Sequence, residues 1–166
     1  PFRIDSNSEN FSIDDYIAEL PEESPLKNNP DWIVKYNNYH YLDAGIPEVR
    51  EYVVDTIIEV VENYNIDGVV LDDYFYPYPS GGLEFPDEDT YEKYGEGFSS
   101  RNEWRRNNIN SFISELYSQI KDTNVEVKFG VSPFGIWRNG ESIGGSNTSG
   151  LSSYDDVYVD SRKWIQ

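Results

Sequence analysis

The sequence contains no cysteine and no methionine, and histidine occurs once in its 166 residues. Without cysteine the chain can form no disulfide, thiol nucleophile, iron–sulfur cluster or thiolate zinc site, and one imidazole cannot supply the paired histidines of most catalytic zinc sites. Adjacent carboxylates suit hard cations, but Asp87 and Asp89 lack the Gly and the bidentate Glu of an EF-hand loop. We therefore predict neither a metal site nor a cofactor.

Positive charge and long apolar runs are also scarce. Only 13 Lys and Arg residues accompany 31 Asp and Glu residues, so the formal net charge is −18 at pH 7. Such a surface repels phosphate backbones and anionic lipid headgroups. The sequence also has no run of 18 apolar residues that would span a bilayer. We predict no nucleic-acid partner and no membrane insertion, and we favour a neutral or locally neutralised ligand.

Aromatic residues, in contrast, are abundant. They make up 16% of the chain, and 14 of them are tyrosines. This content is too high for a disordered segment and suits either a packed core or a surface that stacks on ring-shaped ligands. One globular domain is expected at this length. Because the chain starts with Pro1 instead of Met and ends directly after an amphipathic run, we expect it to be part of a longer protein.

Helical periodicity marks three longer stretches. Apolar residues three or four positions apart predict a helix over 47–64. A second helix is predicted over 100–122, where Ser100 and Glu103 form a capping box ahead of an apolar stripe. A third is predicted over 154–165. These patterns indicate that helices make up much of the fold.

Strand patterns lie between the helices. The short apolar run at 69–71 is typical of a strand buried on both faces, and alternation over 125–131 predicts a second strand. Shorter helices are predicted at 12–19 and from Pro30. The alternating order predicts an α/β fold with parallel strands joined by right-handed crossovers, either in a doubly wound sheet or in a (β/α) barrel.

The connections that follow the two strands are long, covering 74–99 and 133–152. Long connections without regular structure are uncommon unless they bind something. In parallel α/β folds, ligands bind at the carboxyl ends of the strands, where such loops lie. The sequence therefore places a candidate site on this rim.

Two carboxylates, Asp72 and Asp73, end the first strand. Because side chains alternate along a strand, Asp72 shares one side with Val70 and Tyr74, and Asp73 shares the other side with Leu71. Such carboxylates could serve as acid, base or nucleophile. Alternatively, the two carboxylates have a structural role, in which they accept hydrogen bonds from loop backbone or pair with an arginine. A magnesium or calcium site is a further alternative, because adjacent carboxylates suit hard cations.

Aromatic and polar side chains follow both strands. Tyrosines offer an apolar face and a polar tip, which suits sugar rings, and they could equally well pack the long loop. A tryptophan after the second strand could stack on a ring, with an arginine beside it as an orienting cation. The residues concerned are Tyr74, Tyr76, Tyr78, Ser132, Phe134, Trp137 and Arg138.

In several segments the sequence resembles the glycosyl-hydrolase-like 10 family of bacterial (β/α)8 proteins. The segments that match are NPDWIV at 29–34, YLDAGIPEVR at 41–50, DGVVLDDYFYP at 67–77, WRRNNIN at 104–110, FGVSPFGIWR at 129–138 and SYDD at 153–156. They follow one another in family order through nearly the whole chain. The chain departs from the family pattern at Val70, where relatives often have a polar residue.

The resemblance implies that residues 1–166 are the middle part of a barrel domain of ~250 residues, truncated at both ends. It implies a glycoside hydrolase that acts on a bacterial envelope polysaccharide, with peptidoglycan glycan strands as the preferred substrate, in a secreted or cell-envelope protein. The end of the strand at Asp72 is similar to the place where many barrel glycosidases carry a catalytic carboxylate.

Glycosidases need two carboxyl groups, one protonated and one ionised. We predict Asp72 as the ionised group and Asp73 as the next candidate, with the acid at Glu141 or beyond Gln166. Substrate-binding side chains are expected at Arg3, Tyr74, Tyr76, Ser132, Phe134, Trp137 and Arg138, the two arginines acting as polar clamps.

Two alternatives remain open from the sequence. The same aromatic rim would serve a carbohydrate-binding protein that has no catalytic activity. A partial barrel would also leave unpaired strand edges, through which the chain could self-associate. We expect the isolated chain to be inactive.

Overall fold

The computed structural model of the protein describes residues 1–4 and 11–165. The helices in these residues are α1 (Ile13–Glu19), α2 (Pro25–Asn28), α3 (Pro47–Asn63), α4 (Glu88–Tyr94), α5 (Arg101–Thr123) and α6 (Ser153–Asp156). The strands are β1 (Ile33–Tyr36), β2 (Tyr39–Leu42), β3 (Gly68–Leu71) and β4 (Lys128–Val131), and short 3₁₀ turns cover Pro30–Trp32, Glu141–Ile143 and Lys163–Ile165. None of the helices described is both long and apolar enough to cross a membrane.

The two long helices, α3 and α5, lie where their periodicity predicts them and pack against each other. Val49 of α3 and Ile109 and Leu116 of α5 are completely excluded from solvent. Full burial of an aliphatic side chain contributes about 1.5–3 kcal/mol. These apolar stripes therefore form the centre of the core.

The Ser100 half of the predicted capping box is present at the start of α5. The Ser100 hydroxyl accepts a hydrogen bond from the Glu103 main-chain N–H at 3.3 Å, which satisfies a main-chain donor that the helix itself leaves unpaired. The Glu103 carboxylate accepts a hydrogen bond from the Ser99 hydroxyl at 2.5 Å, whereas a complete capping box would join it to the Ser100 main-chain N–H.

Replacing Ser100 by Ala is expected to lower the free energy of unfolding by about 1 kcal/mol, because the cap is lost. The unfolding temperature should fall by roughly 2–4 °C, as followed by circular dichroism. Ser118→Ala, at an exposed position within the same helix, is the control and should cost nothing. Equal losses in the two variants would contradict the assigned cap.

Strands β3 and β4 form a parallel pair, with Gly68 opposite Lys128 and Leu71 opposite Val131. Because α5 lies between them in the chain, β3–α5–β4 is a crossover unit, and the predicted α/β class with a parallel sheet is confirmed. Within this chain β3 is buried on one face only, which differs from the predicted strand buried on both faces. Leu71 packs into the core, but Val70 on the other face is 74% exposed, with no described residue covering it.

An antiparallel hairpin, β1–β2, precedes α3 and was not predicted. A two-residue turn joins its strands, and Asn37 in that turn has a φ of 55°. Asn tolerates this left-handed conformation better than most residues, so the turn is local in origin. An isolated bridge between Arg3 and Tyr41 places the start of the chain beside the hairpin.

The prediction of a continuous helix over 154–165 is wrong. Helix α6 ends at Asp156, and Tyr158 has a φ of 58°, which interrupts the helical path. The Tyr158 hydroxyl accepts a hydrogen bond from Arg105 Nη1 at 2.8 Å, and the Arg105 guanidinium lies 4.8 Å from the centre of the Tyr158 ring. This tertiary contact outweighs the helical periodicity of the segment.

Candidate functional site

The residues that leave β3 alternate between solvent and core, as strand geometry predicts. Val70, Asp72 and Tyr74 are exposed, whereas Leu71 and Asp73 are buried. The alternation thus separates the two adjacent carboxylates. Asp72 faces solvent on the open side of the sheet, and Asp73 faces the covered side.

The Asp72 carboxylate is oriented by a hydrogen bond from the main chain. Its Oδ1 accepts a hydrogen bond from the Asp73 main-chain N–H at 2.9 Å. Within residues 1–4 and 11–165, no arginine or lysine forms an ion pair with it. The alternative that Asp72 is neutralised by an arginine is therefore not what the structure shows, and its second oxygen is available to a ligand.

Asp73 is only 7% exposed and accepts a hydrogen bond from the Tyr78 hydroxyl, with 2.7 Å between Tyr78 Oη and Asp73 Oδ2. Partial burial raises the pKa of the Tyr78 phenol, and hydrogen bonds with Asp73 and Tyr74 raise it further. The phenol therefore stays protonated and acts as a donor to the carboxylate.

An aromatic rim lies beside the two carboxylates. The guanidinium of Arg3 is 5.4 Å from the centre of the Tyr39 ring and 6.0 Å from that of Tyr74. The Tyr74 and Tyr78 rings are 4.9 Å apart, and the Tyr78 ring is 6.0 Å from Phe134, which belongs to the second long loop. The two loops that follow the strands thus meet at Tyr78.

Arg3 supplies the positive charge of this rim. It is exposed, and no described residue forms an ion pair or a hydrogen bond with its guanidinium. Its guanidinium lies over the ring of Tyr74, which shares the open side of the strand end with Asp72. Arg3 is therefore placed to receive an anionic group close to Asp72.

Ser132 occupies in β4 the place that Asp72 occupies in β3. Its main-chain N–H donates to the Leu71 carbonyl oxygen at 2.8 Å, which extends the parallel pairing to the two strand ends. Glu141 is exposed in the 3₁₀ turn of the second loop. No contact in the described part of the chain joins Glu141 to Asp72 or Asp73, so the structure does not pair Glu141 with them.

The prediction that Tyr76 faces the rim is wrong. Tyr76 is 1% exposed, and its ring packs edge-on between Phe85 and Tyr158, at 5.3 Å from each ring centre. Burial raises the pKa of its phenol. Tyr76 belongs to the core and fastens the first long loop to the rest of the molecule.

Trp137 and Arg138 lie in a second cluster, where their partners are Asp155, Asp160 and Arg162. Trp137 Nε1 donates to Asp160 Oδ1 at 3.1 Å, and Arg162 covers the Trp137 ring at 3.8 Å from its centre. Arg138 Nε donates to Asp155 Oδ2 at 3.0 Å. Among the described residues, neither Trp137 nor Arg138 contacts the two carboxylates after β3, so the predicted substrate-binding residues are divided between two groups.

Tyr39 belongs to the rim although the sequence does not predict it there, and Tyr78 belongs to it although it is named only as a rim aromatic and not in the expected substrate-binding set. Tyr78 appears in the tyrosine run but carries no periodic signal, because the run is not a strand. Tyr39 lies in the hairpin that was not predicted, and it underlies Arg3 only because of the bridge between Arg3 and Tyr41. The Asn-Asn turn is the sequence signal that could have revealed the hairpin.

A cavity lies away from the rim. It has a volume of about 770 Å³ between α5, β4 and the last 3₁₀ turn, and its lining includes Ile113, Phe129 and Trp164 but none of the rim residues. Among the residues described, no group of three or more His, Asp or Glu side chains is arranged to hold a metal ion.

Comparison with known proteins shows which family the chain matches. The profile of the family described as glycosyl hydrolase-like 10 matches residues 2–166. The chain is 46% identical, over its whole length, to glycosyl hydrolase YngK of Bacillus subtilis (strain 168), of which it covers 32%. It is 40% identical to glycosyl hydrolase DigH of Escherichia coli O6:H1 and 39% identical to DigH of Escherichia coli K12, covering 38% of each. The chain thus spans about a third of the length of these relatives.

Proposed function

Because the chain belongs to the glycosyl hydrolase-like 10 family, we propose that it carries part of the active site of a glycoside hydrolase. The observation that carries this proposal is the position of Asp72. Its carboxylate faces solvent at the carboxyl end of a parallel strand, is oriented by a main-chain N–H and lies beside the Arg3 and Tyr74 rim. Ligand sites of parallel α/β folds lie at this end of the strands.

We propose that residues 1–166 form a partial domain from the middle of a (β/α)8 barrel. The parallel unit β3–α5–β4 and the uncovered face of Val70 support this, since that face would point into a closed barrel. A barrel needs ~250 residues, and the relatives are about three times as long as this chain. The remaining strands would come from the parts of the protein outside it.

In the proposed mechanism, Asp72 is the ionised carboxylate and acts as nucleophile or base. A second, protonated carboxyl group assists departure of the leaving group. Glu141 or a residue outside this chain would supply it. Retention would need a carboxyl separation of roughly 5 Å, and inversion roughly 6.5–9.5 Å.

The proposed substrate is a bacterial envelope polysaccharide with acidic sugars, peptidoglycan glycan strands being the preferred case, and the protein would be secreted or held in the cell envelope. The net charge of −18 disfavours polyanions, so an acidic sugar needs a local cation. Arg3 supports this proposal because it is the rim cation and has no carboxylate partner among the described residues.

Release of reducing ends from purified glycan strands by the full-length protein tests the proposed activity. A glycosidase releases reducing ends in proportion to time and enzyme. A carbohydrate-binding protein without activity would be retained on insoluble glycan and release none, and that result would replace the proposed function by its rival.

Replacing Arg3 by Ala is expected to weaken binding of an acidic glycan by about 10-fold, because hydrogen bonds to charged groups contribute roughly 1.5–3 kcal/mol. Arg3→Lys should recover only part of the affinity, since an ammonium cannot bind a carboxylate through two parallel hydrogen bonds. Calorimetric titration with an acidic and a neutral oligosaccharide measures the effect.

Lys35→Ala, which removes one exposed cation from β1, is the control for the change in net charge. It should leave both affinities unchanged. An equal loss for the acidic and the neutral oligosaccharide in Arg3→Ala would show that Arg3 does not recognise an acidic group.

A further inference from the structure

Asp73 is a buried carboxylate with a single side-chain donor. Tyr78 Oη lies 2.7 Å from Asp73 Oδ2, and no other described side chain donates to Asp73 or forms an ion pair with it. Leaving a buried carboxylate without a donor is costly. The position of the Asp73 carboxylate therefore depends on the phenol of Tyr78.

Tyr78 is also the point at which the two long loops touch. Its ring packs against Tyr74 of the first loop at 4.9 Å and meets Phe134 of the second loop at 6.0 Å, at an interplanar angle of 83°. The phenol pKa is raised by partial burial and by the hydrogen bonds with Asp73 and Tyr74, so the hydroxyl keeps its proton as a donor.

The contact continues from Asp73 to Asp72 through the main chain. The N–H of Asp73 donates to Asp72 Oδ1 at 2.9 Å, so any rotation of the peptide before Asp73 turns the Asp72 carboxylate. A continuous set of contacts therefore runs from Phe134 through Tyr78 and Asp73 to Asp72.

We propose that Tyr78 is a positioning residue of the site, which orients Asp72 by holding the buried Asp73 carboxylate in place. The inference rests on the proposed function, because it concerns the same site. The hydroxyl acts on Asp73, and the ring links this action to the second loop. Without the hydroxyl, Asp73 loses its described side-chain donor and must turn toward water, and this movement disturbs the peptide that holds Asp72.

Tyr78→Phe removes the hydroxyl and keeps the ring contacts with Tyr74 and Phe134. In the full-length protein, kcat on glycan strands should fall by about 10- to 100-fold, because small displacements of a reacting group cost this much. KM should change by less than about threefold, since the aromatic surface is kept. Tyr64→Phe, which removes a hydroxyl from a side chain 67% exposed at the end of α3, is the matched control and should leave kcat unchanged.

An unchanged kcat in Tyr78→Phe overturns the inference. A parallel change in kcat and KM, together with a fall in unfolding temperature, also overturns it, because a merely structural role produces that result.

A second measurement is independent of activity and uses the full-length protein. The ¹³Cζ resonance of Tyr78, identified by its loss in Tyr78→Phe, should shift in Asp73→Asn, because the carboxylate that accepts the hydrogen bond of the phenol is replaced by a neutral amide. If the shift is present and the full-length protein cleaves no glycan, the proposed function fails while the contact stands. If the shift is absent and Asp72 is needed for cleavage, only the role of Tyr78 fails.

Discussion

Replacing Asp72 by Asn is expected to reduce glycan cleavage by the full-length protein by a factor on the order of 10³ or more, the usual cost of losing a catalytic group. Asn keeps an oxygen that can accept the hydrogen bond from the Asp73 N–H, so the local geometry should persist. What is lost is the negative charge that a nucleophile or base requires. The variant should therefore bind glycan and fail to cleave it.

The fold should be unaffected, because Asp72 is exposed and makes no ion pair within the described residues. Exposed substitutions of this kind change stability by about 0.5 kcal/mol or less. Circular dichroism should give an unfolding temperature within about 2 °C of the wild type. Asp67→Asn is the matched control, since Asp67 is exposed at the opposite end of the same strand.

Retained turnover by Asp72→Asn would contradict the assignment. If Asp73→Asn loses cleavage in that case and still folds, Asp73 is the ionised group instead. Loss of cleavage in Asp67→Asn as well would indicate a general effect of charge on the protein and would assign no residue.

The parts of the fold that the sequence predicts correctly are those fixed by local periodicity. Helices α3 and α5 are long, amphipathic and, in α5, capped by Ser100, so their positions need no knowledge of the rest of the molecule. The parallel pairing of β3 and β4 followed from the order of the elements. These elements determine which edge of the sheet holds the candidate site.

The predictions that failed depend on tertiary contacts. The segment over 154–165 has helical periodicity, but a buried arginine holds Tyr158 in a left-handed conformation, and no local pattern reports this. The strand at 69–71 has the composition of a buried strand, yet its exposed side is Val70. Burial depends on what covers a face, and composition alone cannot supply that.

The candidate site was predicted correctly only as far as the local strand pattern extends. Alternation along β3 assigned Asp72 and Asp73 to opposite sides, and the structure agrees. Beyond the strand the chain has no period, so the sequence could not show that Tyr76 enters the core while Tyr78 reaches Asp73. Packing partners distant in the sequence, such as Phe85 and Phe134, decide which tyrosine faces the site.

A buried ion pair holds the first long loop against α5, and breaking it should destabilise the protein more than the loss of the Ser100 cap. Asp87, which directly precedes α4, accepts two hydrogen bonds from Arg105, at 2.7 Å from Nε and 2.5 Å from Nη2. The two residues are 0% and 1% exposed. Burial by itself lowers the pKa of Arg105, but the hydrogen bonds and charge of Asp87 reverse this and raise it above its ordinary value.

Asp87→Asn should therefore lower the free energy of unfolding by about 3–5 kcal/mol, since it removes the buried counter-charge of Arg105 and leaves only the exposed Glu84 carboxylate, 3.6 Å from Nη1. In a chain of this size, the unfolding temperature should fall by about 10 °C. The adjacent Glu88 provides the matched control: it pairs with Arg101, which belongs to α5 as Arg105 does, but the Glu88 side chain is 64% exposed. Glu88→Gln should cost less than about 1 kcal/mol, because water screens exposed ion pairs.

Urea unfolding of the two variants compares the pairs directly. Equal losses would show that burial does not distinguish the two ion pairs and that the loop is held by its aromatic contacts alone.

The buried ion pair also affects the site, because the loop segment that Asp87 anchors contains Tyr74 and Tyr78. Asp87→Asn should therefore loosen the rim around Asp72 at temperatures where α3 and α5 remain folded, and protection of the loop amides from hydrogen exchange should fall before that of the two helices.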